Sequence, residues 1–233
     1  MRFILLPLIF ASHFGILALA VSLYPDRYDW RYLSISKLLY PVTNPRFHYI
    51  ASFSVAATGV LVAPFAGYIG RRLRGAAPRA ATVGAALFFG GCVCLPLAAL
   101  IASHPLHGTA RLPQLHNTLA RIAVIGIGLG IVVFNACATI GYFRRRPENT
   151  FPSRRLLVSW NLCTLPAILV TATWLAIRAF VNRSTPAYHA IASTPVWKLG
   201  FWEWIGSAAV FGFLAVAAWV LPDERVQAKE GSE

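Results

Sequence analysis

The sequence predicts an all-α integral membrane protein, folded as a six-transmembrane-helix bundle with both termini cytoplasmic. Three observations support this prediction. The chain is 57% hydrophobic and only 12% charged, a composition that soluble domains rarely have. Its apolar residues gather in six long runs, and many of its arginines gather in two short loops between those runs. The first pattern is typical of membrane spans, and the second is typical of their cytoplasmic loops.

Six segments are long enough to cross a bilayer as helices. A span needs about 20 mostly apolar residues at about 1.5 Å rise each. Hydrocarbon offers no partner to backbone N–H and C=O groups, so such segments have to be helical, and the alternation of barrel strands is absent. The single predicted domain covers 1–221, followed by a short cytoplasmic tail over 222–233, and its spans are 3–23, 49–69, 82–103, 119–143, 156–180 and 200–221.

The first and middle segments each have a further property. Segment 3–23 is predicted as a span and not as a cleaved signal peptide, because it is long for a signal core and no small-x-small cleavage site follows. The fourth segment contains Gly126 and Gly130, a small-xxx-small pair that lets helix backbones approach closely. Packing within the chain is the favoured interpretation of this pair, over a dimer motif.

The loops predict the orientation. Loop 70–81 has four arginines and no acid, and loop 144–155 has five arginines against Glu148 alone. Loops rich in Lys and Arg stay in the cytoplasm, so an even number of spans places both termini there. The first outer loop is also basic and obeys the rule less cleanly. The Arg- and Ala-rich chain with short loops indicates the bacterial inner (plasma) membrane.

Charge and cysteines exclude other classes. The net charge is +13, but the basic residues form no continuous face, so nucleic acid is not an expected partner. All four cysteines lie within apolar runs, which favours buried thiols over a disulfide framework. No cofactor is strongly implied. The expected partners are membrane lipids, and a homo-oligomer stays open.

Glu203 is the only acid inside a long apolar run. A carboxylate at membrane depth costs a few kcal/mol, about 3 on insertion scales, and such residues usually face a protein interior or a wet cavity. Glu203 enters the bilayer from the predicted outer side, where the loops hold five of the six histidines. The sequence therefore predicts a polar chamber at the outer leaflet.

The chemistry of this chamber has several interpretations. His116 and Glu203 could exchange protons as a general acid–base pair, or Glu203 could form a structural ion pair with His116, Arg121, Arg178 or Lys198. His116 and Asn117 are expected to open the fourth helix, with Asn117 or Thr118 as its N-cap. A metal site is a weak alternative, built from His104, His107 and His116.

Short motifs resemble one broad membrane family, that of the FGF-receptor-activating-protein and damage-regulated autophagy modulator proteins, with related bacterial six-helix proteins of unknown function. The motifs are Ile35-Ser36-Lys37, Asn44-Pro45, the segment 115–120, and Trp202-Glu203-Trp204. The resemblance implies a role in membrane-lipid biology and points to Ser36, His116 and Glu203. Members typically carry an acid where this chain has Lys37, so a charge-paired role for that position is in doubt.

The function expected from all of this is the binding or organisation of a lipid or other amphiphile at the outer chamber. The ligand-binding set expected there contains cations for an anionic head group, tryptophans beside the acyl region, and two further polar residues. It comprises Lys37, Arg46, Arg111, Lys198, Trp202, Trp204, Asp29 and Ser36. The alternative is a membrane-embedded lipid hydrolase or transferase using His116 and Glu203. Small-solute transport is disfavoured, since deep charges and inverted repeats are lacking.

Overall fold

The computed structural model describes residues 3–104, 111–143, 157–162, 164 and 184–221. All regular secondary structure in these residues is helical, which confirms the all-α class. Five of the helices are long and apolar enough to cross a membrane, as expected for an integral, multi-pass membrane protein. Of the predicted span 156–180 the structure describes only 157–162 and 164, and the tail 222–233 lies outside the described residues, so the count of six spans stays a prediction.

The helices differ widely in length, and a further helical stretch covers 157–162. We number the main helices in chain order: α1 Leu5–Ser22, α2 Ile35–Leu39, α3 His48–Leu73, α4 Pro78–Ala102, α5 Leu112–Phe143, α6 Pro186–Ala192 and α7 Leu199–Val220.

Neighbouring spans run in alternating directions, so their ends meet at two levels. At one level the start of α7 contacts the chain just before α2, through Gly200 and Leu33. We call this the α2 end. At the opposite level, Phe3 before α1 packs edge-on against Trp219 near the end of α7, with ring centroids 5.9 Å apart. Which level faces the cytoplasm stays a prediction.

Three of the four arginines of the predicted loop 70–81 lie on helix ends at the opposite level: Arg71 and Arg72 on α3, and Arg79 on α4. α3 continues to Leu73 and α4 begins at Pro78, so the predicted loop 70–81 shrinks to four residues. Arg71 is exposed, and the Arg72 guanidinium lies 5.5 Å from the centre of the Tyr68 ring. Long basic side chains reach the head groups from a helix, and cations are favourable at a helix C-terminus. The helices can therefore extend beyond the apolar segments of the sequence.

α5 begins seven residues earlier than predicted, at Leu112. His116 and Asn117 therefore lie inside the helix, and the expectation that they open and cap it is wrong. Thr118 also makes an internal contact, because its hydroxyl donates to the Gln114 carbonyl at 2.9 Å. With 32 residues, α5 is about 48 Å long, against about 30 Å for the hydrocarbon core.

Glycines form the seam between α4 and α5. A Cβ at Gly91 would lie 2.7 Å from the Ala123 carbonyl oxygen, and one at Gly130 would lie 2.7 Å from the Phe88 Cβ. A Cβ at Gly126 would come within 2.9 Å of the Leu87 carbonyl oxygen. The small residues thus serve packing within the chain, as the favoured interpretation held.

A buried polar cluster lies between α1 and α3. α1 passes through a π-helical segment, Ala11–Gly15, and the Ser54 hydroxyl donates to the Ser12 carbonyl at 2.6 Å. The Thr58 hydroxyl donates to the Ser54 carbonyl at 2.7 Å and so accepts from His13 Nδ1 at 3.1 Å. Hydroxyl side chains thereby donate hydrogen bonds to carbonyls at the π-helical turn, and hydrocarbon could not supply such donors.

Candidate functional site at the α2 end

Glu203 anchors the N-terminus of α2. Its Oε2 accepts from the Ile35 amide at 2.6 Å and lies 3.4 Å from the Ser36 amide. Ser34 has the extended backbone of an N-cap but makes no side-chain cap of its own; its hydroxyl instead pairs with that of Ser36 at 2.8 Å. A carboxylate from another helix thus takes the capping position, where charge-assisted hydrogen bonds and the helix dipole both favour an anion.

The start of α7 fits closely against the same turn. A Cβ on Gly200 would clash with the backbone of Leu33, so only glycine allows this approach. The Tyr28 hydroxyl lies 3.0 Å from the carbonyl oxygens of both Leu33 and Ser34 and accepts from Trp204 Nε1 at 3.2 Å. Burial raises the pKa of Tyr28, and the nearby Glu203 carboxylate raises it further. We call this set of contacts between α7 and the 28–36 segment the α2–α7 dock.

The C-terminal end of α2 is also held by side chains. Asn44 is fully buried, and its Nδ2 donates to the Leu38 carbonyl at 3.0 Å. The Thr43 hydroxyl donates to the Lys37 carbonyl at 2.5 Å. A helix of five residues is too short to be stable by itself. Here both of its ends are bonded, and its apolar side chains, Ile35, Leu38 and Leu39, pack into a cluster with α1, α3 and α4.

His116 contacts Tyr40, the residue that follows α2. Its Nδ1 lies 2.9 Å from the Ala98 carbonyl oxygen; a carbonyl can only accept, so Nδ1 carries the hydrogen. The Tyr40 ring meets the imidazole edge-on, with centroids 5.4 Å apart. Burial raises the pKa of Tyr40, a hydrogen bond with Ser36 lowers it, and the Glu203 charge raises it again.

The structure thus brings Glu203 to the N-terminus of α2 and His116 to Tyr40, the residue that follows its C-terminus. Over the described ranges the bonds of the Glu203 carboxylate run to the two α2 amides, so a backbone cap stands in place of an ion pair with His116, Arg121 or Lys198. Arg178, the fourth expected partner, lies outside the described residues. The proton exchange between Glu203 and His116 stays a prediction.

The other expected ligand-binding residues lie around this end in different settings. Lys37, Arg46 and Arg111 are exposed. Lys198 is half-buried at the N-cap of α7, and Trp202 Nε1 donates to the Val196 carbonyl at 2.7 Å.

Asp29 has a cation of its own. Arg31 Nε donates to one carboxylate oxygen at 3.0 Å, and Arg31 Nη2 donates to the other at 2.8 Å. Hydrogen bonding by Arg31 lowers the pKa of the Asp29 carboxyl. Asp29 therefore shapes the loop before α2, and its place in a ligand site stays a prediction.

A metal centre has no support from the residues that the structure describes. Within them, no three His, Cys, Asp or Glu side chains group closely enough to hold a metal ion. His107 lies outside them, so the alternative site of His104, His107 and His116 stays a prediction.

Several residues that hold α2 in place were not expected from the sequence. The Tyr28 and Thr43 hydroxyls contact backbone carbonyls five or six residues away, at Leu33, Ser34 and Lys37. Gly200 meets the backbone of Leu33, which is remote in the chain, and nothing in its local sequence signals this. Asn44 belonged to a motif carried by the family resemblance, but its bond to α2 could not be inferred from it.

Comparison with family models, with curated proteins and with solved structures finds no match. The resemblance to the FGF-receptor-activating-protein and damage-regulated autophagy modulator family therefore rests on the short motifs alone.

Proposed function

We propose that this membrane protein binds or organises a lipid or another amphiphile at the α2 end. The observation that carries the proposal is the fixed position of α2. Its backbone is bonded at the N-terminus by Glu203 and at the C-terminus by Asn44, so the residues on its exposed side are held in place before any ligand arrives. A preorganised surface loses less conformational freedom on binding.

The exposed side of this region is cationic. Between the first span and α3, the chain exposes four basic side chains, against the acids Asp26 and Asp29. Asp29 is already paired with Arg31. Among the described residues, Lys37 and Arg46 form no ion pair, and a basic residue near an anionic head group contributes about 1 kcal/mol.

Aromatic side chains accompany the cations. Trp30 is 45% exposed and stacks on Phe201 at the start of α7, with the rings 6.0 Å apart. Tyr49, in the first turn of α3, is 58% exposed. Amphipathic rings favour the boundary between head groups and acyl chains. Charge and aromatic surface together match a molecule with a polar head and an apolar tail.

Further aspects of the proposal come from the sequence. They are a sixth span, cytoplasmic termini, a bacterial inner membrane location, and membership of the family that the motifs resemble. The basic helix ends opposite α2 support the cytoplasmic assignment.

The test is lipid binding by a charge variant of the α2 end. Lys37→Gln with Arg46→Gln is purified and titrated with phosphatidylglycerol, and bound lipid is counted by native mass spectrometry. At about 1 kcal/mol for each cation, we expect the affinity to fall by a factor of about 30.

Arg71→Gln with Arg74→Gln is the matched control, because it removes the same charge from exposed positions at the opposite end. An equal fall in this control would contradict the proposal, since the effect would then follow net charge and not the α2 end.

A further inference from the structure

One face of α5 changes character along its length. Near the α2 end it exposes Gln114, Asn117, Thr118 and Arg121, which share a side of the helix at spacings of three and four residues. Further along, the same face is apolar. Ile125 is 58% exposed, Leu129 48% and Val132 42%, with Gly128 open between them. We call the first part the polar ladder.

Three polar side chains of this ladder have no partner among the described residues. Over the part of the chain that the structure describes, the side chains of Gln114, Asn117 and Arg121 make no hydrogen bond or ion pair. The Thr118 hydroxyl is bonded to the carbonyl one turn before it. A guanidinium and two amides on a membrane-facing helix need acceptors and donors from outside the bundle.

Contacts in the seam fix the height of the ladder against α4. His116 bonds to Ala98, and Ala123 meets Gly91, so each step forward on α5 matches one step back on α4. Gln114, Asn117 and Arg121 therefore lie level with Leu100, Leu97 and Val93, which are all exposed and apolar. The polar groups stand at a height where the neighbouring helix still presents an apolar surface.

A second copy of the chain fits this face poorly. In a two-fold contact between α5 helices of equal direction, Arg121 would lie near its own copy, and the two like charges would repel. The ladder carries no acid that could neutralise it. A phosphodiester has the complementary charge, and its oxygens accept from a guanidinium in the favourable fork geometry.

We infer that this face of α5 binds one phospholipid of the leaflet at the α2 end. Arg121 bonds the phosphate, Asn117 and Gln114 bond head-group or glycerol oxygens, and one acyl chain lies along Ile125, Gly128 and Val132. The polar part covers seven residue steps, or about 10 Å. The site shares no residue with the α2–α7 dock, so it does not rest on the function proposed above.

The experiment measures binding of phosphatidylglycerol to the full chain and to Arg121→Gln by native mass spectrometry. The matched control is Arg79→Gln, which removes one exposed charge at the opposite end, away from the ladder. We expect about fivefold weaker binding of the tightest lipid in Arg121→Gln and unchanged binding in Arg79→Gln. A phosphatidylglycerol with a diazirine in its acyl chain is then cross-linked to the unmodified protein, with the label expected at 125–132.

Three results would overturn the inference. Equal weakening by the two variants would make the effect one of net charge. Labelling confined to other helices would place the lipid elsewhere. In the variant Gln114→Cys, a bifunctional thiol reagent could join α5 of two copies. Such cross-links would identify a second chain as the occupant.

Discussion

The α4–α5 seam and the α2–α7 dock both bring backbones into close contact, but they do so by different means. In the seam, glycines repeat along two long helices. Because they have no side chain, a carbonyl oxygen or a Cβ of the other helix can lie directly against them. In the dock, a five-residue helix depends on one carboxylate, one glycine and the hydrogen bond between Trp204 and Tyr28. The seam spreads its stabilisation over many small contacts, whereas the dock concentrates it in a few polar atoms.

This difference predicts different responses to mutation. A single enlarged residue in the seam meets backbone atoms that cannot move without separating the helices. A single lost polar atom in the dock releases one short segment, while the spans around it keep their own contacts. Seam variants should therefore lower the stability of the whole bundle, and dock variants should act locally.

The largest effect is expected from Gly91→Val. A Cβ there would lie 2.7 Å from both the Ala123 carbonyl oxygen and the Ile127 nitrogen, so we expect a loss of about 3 kcal/mol in the free energy of unfolding. Unfolding in detergent, followed by tryptophan fluorescence, measures it. Gly90→Val is the control, because Gly90 has open space around it. Equal losses in the two variants would show that the seam is not closely packed.

A smaller, local effect is expected from Glu203→Ala. It removes the acceptor of the Ile35 amide, and a hydrogen bond to a charged group contributes about 2 kcal/mol. Hydrogen exchange should accelerate at the amides of 35 and 36 and stay unchanged across the seam. Glu203→Gln keeps an acceptor oxygen but loses the charge, so its effect should be intermediate. Unchanged exchange at α2 in Glu203→Ala would contradict the dock.

The two regions also differ in how far the sequence predicted them. Hydropathy gave the spans that the structure describes, because the cost of exposing apolar helices to water is summed over many residues. Glycine spacing indicated the seam. The helix ends were missed by several residues, since Arg71 and Arg79 remain helical beyond the apolar runs.

The position of the dock could be predicted from the sequence, but its contacts could not. Glu203 was conspicuous because a carboxylate is costly in an apolar run, but its partners are backbone amides some 168 residues away. Every residue except proline carries a backbone N–H, so composition and spacing cannot identify which one donates to the carboxylate. The same holds for Gly200, whose close approach to Leu33 exists only in the folded chain.

The smallest effect is expected from Asp29→Asn, which compares an exposed carboxylate with the partly buried Glu203 at the same end. The pKa of Asp29 is lowered by hydrogen bonding with Arg31. A carboxyl with a lowered pKa stabilises the fold above the pKa of the unfolded chain, about 3.9, and this contribution is lost as the pH falls through the folded value. Between pH 8 and pH 5 the carboxylate stays ionised, so its contribution to the unfolding temperature should be the same at both pH values.

Unfolding scans of the unmodified protein and Asp29→Asn at pH 8 and pH 5 test this expectation. Exposed ion pairs contribute little because water and salt screen them, so the two proteins should unfold together at both pH values. A lower unfolding temperature of Asp29→Asn than of the unmodified protein at either pH would contradict this expectation. It would mean that the loop before α2 depends on its surface charges, and that the dock extends beyond the contact between α7 and the 28–36 segment.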